Sequence, residues 1–214
     1  KIVIKGGADC NKIQRVSDES GLAIKSDNSP TEPVRLVYVG NMYIHRGIDI
    51  LLEAVDSAES EIKLVLIGPA PPEYGRPENV EEFQTYFDQG FEQTLEGLDA
   101  TVNYRGVLDQ EDAIREMLRP DIGVCILPYE RGLPHFKQSY PIKIFEYMAT
   151  GLPILCTKTP VMDELLTDPQ LLSSHEPLDV AADIDELAED HTCCERCSSN
   201  NLKRVEQHCW GSLR

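Results

Sequence analysis

The sequence predicts an α/β fold built on a doubly wound parallel sheet. Short, nearly continuous apolar runs (VRLVYVG, IKLVLIG, DIGVCILP and LPILCT) alternate with segments of helical periodicity. Strands apolar on both faces belong to sheets covered on both sides, and intervening helices imply parallel pairing. A chain of 214 residues with 41% apolar content is enough for one core.

Taken in order, KIVIK reads as a first strand and residues 17–33, rich in Ser, Asp and Asn, as an irregular loop. Residues 1–33 are therefore assigned to an interdomain linker segment with its strand, and 34–214 to the domain proper. VRLVYVG (34–40), the helix IDILLEAVDSA (48–58) and IKLVLIG (62–68) form one β-α-β unit. A polar loop leads to a helix over 80–98, interrupted at Gly90, and then to the strand TVNYRG (101–106). The next helix opens on Asp109 as N-cap and stops before Pro120. DIGVCILP (121–128) is a buried strand. A helix from Ile142, the strand LPILCT, a short helix PVMDELLTD and a helix around Leu178 to Leu187 complete the alternation.

A formal charge of −17 repels phosphate backbones and anionic membranes, which excludes nucleic acid as a partner. The acids are scattered, as on a solvated surface. No apolar run approaches the roughly 20 residues of a membrane span, and the first residues lack a signal-peptide centre, so the chain reads as soluble and cytoplasmic. The seven cysteines are an odd count, and Cys125 and Cys156 sit in apolar runs, a pattern of free thiols in a reducing compartment. For the tail two readings stand. Cys194, Cys197, His208 and Cys209 could ligate zinc, or Cys194, Leu202, Val205 and Cys209 mark one face of an amphipathic helix.

In open sheets of this kind ligands bind beyond the carboxyl ends of the strands. Candidate positions are Gly40 to Gly47, Gly68 to Ala70, Arg105 with Gly106, and Pro128 to Glu146. GNMYIHRG (40–47) sets Arg46 just ahead of a helix, either as a purely structural turn with a solvated guanidinium or as a place where amides and that guanidinium could converge on phosphate. No G-x-G-x-x-G follows a strand, which argues against a nicotinamide or flavin site. In SYPIKIFEYMATGLP, Ser139 or Tyr140 caps, Pro141 enters the first turn and Gly151 ends the helix. Ile142, Phe145 and Ala149 should face the sheet. Lys143 and Glu146, three apart, share another face near the positive end of the dipole, as a surface ion pair or as a ligand site.

That segment resembles the donor-binding signature of GT-B glycosyltransferases of the family-4 type, S-x-P-x-K-x-x-E-Y-M-A-x-G-x-P. Ser139, Pro141, Lys143, Glu146, Tyr147, Met148, Ala149, Gly151 and Pro153 meet it. VRLVYVGNMYIHRGIDILLEAV, LVLIG, VNYRGVLDQEDAIREML and DIGVCILPY resemble the family's other segments in the same order, and KIVIKGGADCNKI resembles the one that follows its N-terminal domain.

The resemblance implies a Rossmann-like domain, the C-terminal half of a two-domain enzyme whose missing N-terminal half shapes the acceptor site. It implies retaining transfer from a UDP- or GDP-linked sugar to a saccharide or lipid-linked acceptor, with no cofactor and no metal. Glu146 would accept hydrogen bonds from the ribose hydroxyls. Arg46 and Lys143 would neutralise the departing diphosphate. Backbone amides around Gly40, the turn at Gly68, Pro69 and Ala70, and Pro141 with Ile144 would line the donor, and Arg105 with Gly106 would approach the base. The chain departs from the pattern at Asn41, where the family has Arg, and at Gln138, where the fuller pattern has Glu and a sugar contact is expected. A nucleotide-sugar epimerase or a non-catalytic nucleotide-sugar-binding domain of the same fold are the alternatives.

Overall fold

A computed structural model describes residues 6–24, 30–70, 90–131, 137–166, 170–172 and 174–210. The strands are β1 (Val34–Val39), β2 (Ile62–Ile67), β3 (Thr101–Tyr104), β4 (Ile122–Cys125), β5 (Ile154–Thr157) and β6 (Leu171–Leu172). All pair in parallel, in the order β3-β2-β1-β4-β5-β6. The order reverses between β1 and β4, and such a switch point opens a crevice at the carboxyl ends of the two strands.

The helices are α1 (Cys10–Ser20), α2 (Ile48–Ser57), α3 (Phe91–Glu96), α4 (Gln110–Met117), α5 (Ile142–Ala149), α6 (Pro160–Leu165), α7 (Pro177–Glu189) and α8 (His191–Val205). Alternation along β1 separates two cores. Leu36 and Tyr38 pack with Leu51 of α2 and Ile184 of α7, whereas Val37 and Val39 pack with Ile114 of α4 and with Phe145 and Met148 of α5. The sheet is thus doubly wound, as its apolar strands predict.

Several expectations change. The loop assigned to residues 17–33 begins as the end of α1, capped by the Asp9 side chain and closed by left-handed Gly21. Only Ile13, Val16 and Ser17 of that helix are buried, which is too sparse a stripe to announce it. α1 packs into the second core and reaches α4 through Arg15–Glu111 (2.6 Å) and Lys12–Gln110 (2.8 Å). The expected strand KIVIK and residues 80–89 of the expected helix lie outside the described residues; after Gly90 only α3 follows. Ile142 does not face the sheet but is 54% exposed, because the first residue of α5 stands beyond the strand ends. Pro141 itself holds the N-cap position without a side-chain cap, so neither Ser139 nor Tyr140 serves there. The two-residue strand β6 gave no periodic signal.

The tail forms α8, and Cys209 is joined to Cys10 in a disulfide. The expectation of free thiols therefore fails for this pair, and Cys209 is not available to a zinc set; Cys125 and Cys156 remain free and buried. α8 is fixed by polar groups as well. Asn201 Nδ2 donates to Leu152 O (2.8 Å) and to Gln170 Oε1 (2.7 Å), and Ser198 bonds the Gly151 carbonyl. No helix among the described residues is long and apolar enough to cross a membrane.

At the amino end of the sheet, fully buried Asp121 accepts bonds from Arg35 N (3.0 Å), Arg35 Nη2 (2.8 Å) and Thr31 Oγ1 (2.8 Å). Burial raises its pKa, but the bonds from Arg35 and Thr31 outweigh it and hold the carboxyl below its ordinary value. A carboxyl with a depressed folded pKa stabilises above its unfolded pKa, and that contribution disappears as pH falls through the folded value. Asp121→Asn is expected to cost about 2 kcal/mol at neutral pH, and the difference from wild type in thermal melts should shrink as pH falls below the ordinary carboxylate range.

Candidate functional site

The crevice at the switch point is built from both layers of the sandwich. Glycine turns close the carboxyl ends of β1, β2 and β3, with Gly40 N donating to Ile67 O (2.8 Å) and Gly68 N to Gly106 O (2.8 Å). Gly68 has φ +138°, and a Cβ there would collide with the Gly40 carbonyl oxygen. The turns can therefore lie against one another only because Gly68 lacks a side chain. Tyr38 Oη donates to Asn41 O (3.0 Å) and Met42 N to Pro69 O (3.2 Å), which fixes the turn that leads to Arg46.

α5 is anchored at the same place. β1 pairs with β4 only through Leu36 and Val37, so beyond Val37 the strands part. The Val39 amide instead donates to the buried Tyr147 hydroxyl (2.9 Å). The ring fits because Gly123 of β4 lacks a Cβ, which would stand 2.7 Å from it. Left-handed Gly151 (φ +77°) ends the helix in the C′ position expected of it.

Lys143 leaves α5 on the second-core side and brings its Nζ to 3.8 Å from the centroid of the Tyr38 ring, which belongs to the first core. Its exposure is 9%, and it takes part in none of the ion pairs among the described residues. A Cβ on Gly40 would lie 3.0 Å from that Nζ, so the glycine leaves room for the lysine to cross the sheet edge. Arg46 approaches from the other layer, through the short 3-10 turn Ile44–Arg46 ahead of α2. The charges of both cations are felt at Cys125, at the end of β4. A hydrogen bond from Cys156 and the charges of Lys143 and Arg46 lower the Cys125 thiol to about 7, against its burial.

Glu146 stands one turn after Lys143 and is half-buried. Burial raises its pKa, and the Lys143 charge offsets only part of the shift. A carboxylate, an ammonium, a guanidinium, glycine-turn amides and the first-turn amides of α5 thus share one crevice. In chemical terms such a set is complementary to a phosphate group and to hydroxyl donors.

The remaining expected positions are less concentrated. Pro141 and Asn41 are half-buried at the crevice, but the Ile144 side chain is fully buried in the core and has only backbone to offer. Arg105 pairs with Glu116 (3.3 Å), with 42% of its side chain exposed beside the Gly106 turn. Gln138 is exposed. Sequence reading missed Tyr38, whose pattern is that of a core aromatic, and had Tyr147 only as a position of the signature, without its bond to the Val39 amide. It also missed a network at the ends of β4 and β5, where His175 joins Thr157 Oγ1 (3.1 Å) to Glu130 (3.1 Å). A threonine closing a buried strand was its only sequence signal. A cavity of about 750 Å³ opens at the opposite end of the sheet, but Glu32, Glu59, Glu61 and Glu189 line it and disfavour a phosphate there.

The profile of the family described as Glycosyl transferases group 1 matches residues 33–190. The chain belongs to that family. None of the curated protein sequences matches this group 1 chain, whereas solved structures do. HepE from Anabaena, solved with UDP and glucose, is 19% identical with a TM-score of 0.63, over 94% of this chain and 51% of that one. The E. coli trehalose-6-phosphate structure bound with UDP-2-fluoro glucose is 11% identical with a TM-score of 0.67, over 94% of this chain and 47% of that one. The C-terminal domain of the group 1 protein LpcC from Francisella tularensis is 19% identical with a TM-score of 0.58, over 98% and 96% of the two chains. The group 1 chain thus spans about half the length of HepE and nearly the whole of the LpcC domain. Its fold is the Rossmann-like fold of GT-B glycosyltransferases.

Proposed function

We propose that this chain is the donor-binding domain of a retaining glycosyltransferase, which moves a sugar from a nucleoside-diphosphate sugar to a saccharide or lipid-linked acceptor held by a second domain. The observation that carries the reading is Lys143, a buried ammonium at the switch point with Glu146 one helical turn away. Similar structures hold UDP with glucose or UDP-2-fluoro glucose, which supports a nucleotide sugar as the donor.

In this reading Glu146 accepts from the vicinal ribose hydroxyls, for which its two oxygens suffice. The diphosphate lies between the Gly40 turn and the start of α5. As the sugar–oxygen bond breaks, negative charge grows on the departing phosphate, and Lys143, Arg46 and the helix dipole lower its energy without a divalent ion. Gln138 offers the sugar an amide, and Arg105 with Gly106 flanks the base.

A calorimetric screen of UDP, GDP, ADP and their sugars tests the proposal. One diphosphate should bind with micromolar to millimolar affinity, and the Glu146→Ala variant should lose about tenfold or more of it. Binding of none, or equal binding by the variant, contradicts the reading. In the full-length protein, an epimerised nucleotide sugar formed without acceptor would replace transfer with epimerisation.

A further inference from the structure

We infer that Tyr38 is the positioning residue that seats Lys143 for the diphosphate; the inference rests on the functional reading above. Three contacts point to it. The Tyr38 ring is fully buried and lies 3.8 Å beneath the Lys143 ammonium. Gly40 opens the space through which the lysine reaches it, and the Tyr38 hydroxyl donates to Asn41 O (3.0 Å) in the turn beside that space.

A lysine stem is flexible, and an ammonium held by water would gain nothing by leaving it. The face of an aromatic ring supplies partial negative charge at a fixed point and leaves the ammonium's N–H donors free to turn outward. A carboxylate in that place would cancel the charge that the ligand needs. The seat joins the two layers, because Tyr38 belongs to the core under α2 and Lys143 to the helix over the opposite face. One side chain therefore sets both the height of the cation and the path of the turn below it.

The test has a ligand-free arm and a binding arm. In the ligand-free wild-type domain, the Lys143 side-chain protons should be shifted upfield by the ring current; Tyr38→Leu should remove the shift and Tyr38→Phe should keep it. Random-coil shifts in the wild type would overturn the inference whether or not any nucleotide binds. By NMR titration with UDP, GDP or ADP, whichever binds, Tyr38→Leu should weaken affinity about tenfold, and Tyr38→Phe should restore most of the loss. In a Lys143→Met background Tyr38→Leu should bind within about twofold of Tyr38→Phe, since both lack the hydroxyl and the ring acts through the lysine. An undiminished difference between the two in that background would show that Tyr38 acts as packing alone. If no nucleotide binds the wild type, the functional reading fails and the ligand-free shifts still decide the seat.

Discussion

Lys143→Met is expected to weaken nucleoside-diphosphate binding by about a hundredfold, roughly 3 kcal/mol, while the ligand-free fold persists. Methionine keeps the length of the stem and lays a thioether on the Tyr38 ring, so the crossing over Gly40 stays filled. What it removes is the buried positive charge. In the absence of ligand that charge has lost much of its water and has gained a ring in exchange, so its removal should leave the melting temperature unchanged or higher. Calorimetry and thermal melts on the same preparation check both halves. Unchanged affinity would place the diphosphate elsewhere, and a collapse of the melt would make Lys143 a structural residue.

Glu146→Gln is expected to raise stability and lower affinity together. Burial lifts the folded pKa of this carboxyl above its unfolded value. An acid shifted upward costs stability above its folded pKa, where it is charged, and the cost is relieved as pH falls through that value. The Glu146→Gln variant should therefore melt higher than wild type at neutral pH, and the gap should close on acidification. Binding runs the other way. Glutamine offers one acceptor oxygen where the carboxylate offers two, and the loss of a charged acceptor should cost about 2 kcal/mol, near thirtyfold. Wild-type affinity should also begin to fall at a higher pH than an ordinary glutamate would give, while the variant stays flat through that window. A variant that is both less stable and equally tight would make the raised carboxyl incidental to binding.

The sheet was legible because its strands are apolar on both faces and punctuated by glycine or proline, a signal that depends little on distant contacts. Asp109 capped the helix it was expected to cap, its side chain accepting from Asp112 N (2.9 Å). α1 was hidden because few of its residues touch the core, and the Cys10–Cys209 pairing joins residues separated by 199 positions, beyond any local pattern. Within the crevice, the motif around Lys143 and Glu146 identified the helix but not the reason the lysine is poised. That depends on Tyr38, which the sequence shows only as one more apolar position of β1. Ile142 illustrates the opposite error, in which helical spacing assigned a buried face to a residue that stands past the end of the sheet.

The central claim, that Glu146 holds a ribose at the switch point, is tested most directly by titrating the nucleoside diphosphate that binds best and its 2′-deoxy counterpart into wild type and Glu146→Ala. Wild type should prefer the ribose form by about tenfold, and the variant should bind both alike, since the hydroxyl has then lost its acceptor. Equal affinities in wild type, or a preference that survives in Glu146→Ala, would contradict the account.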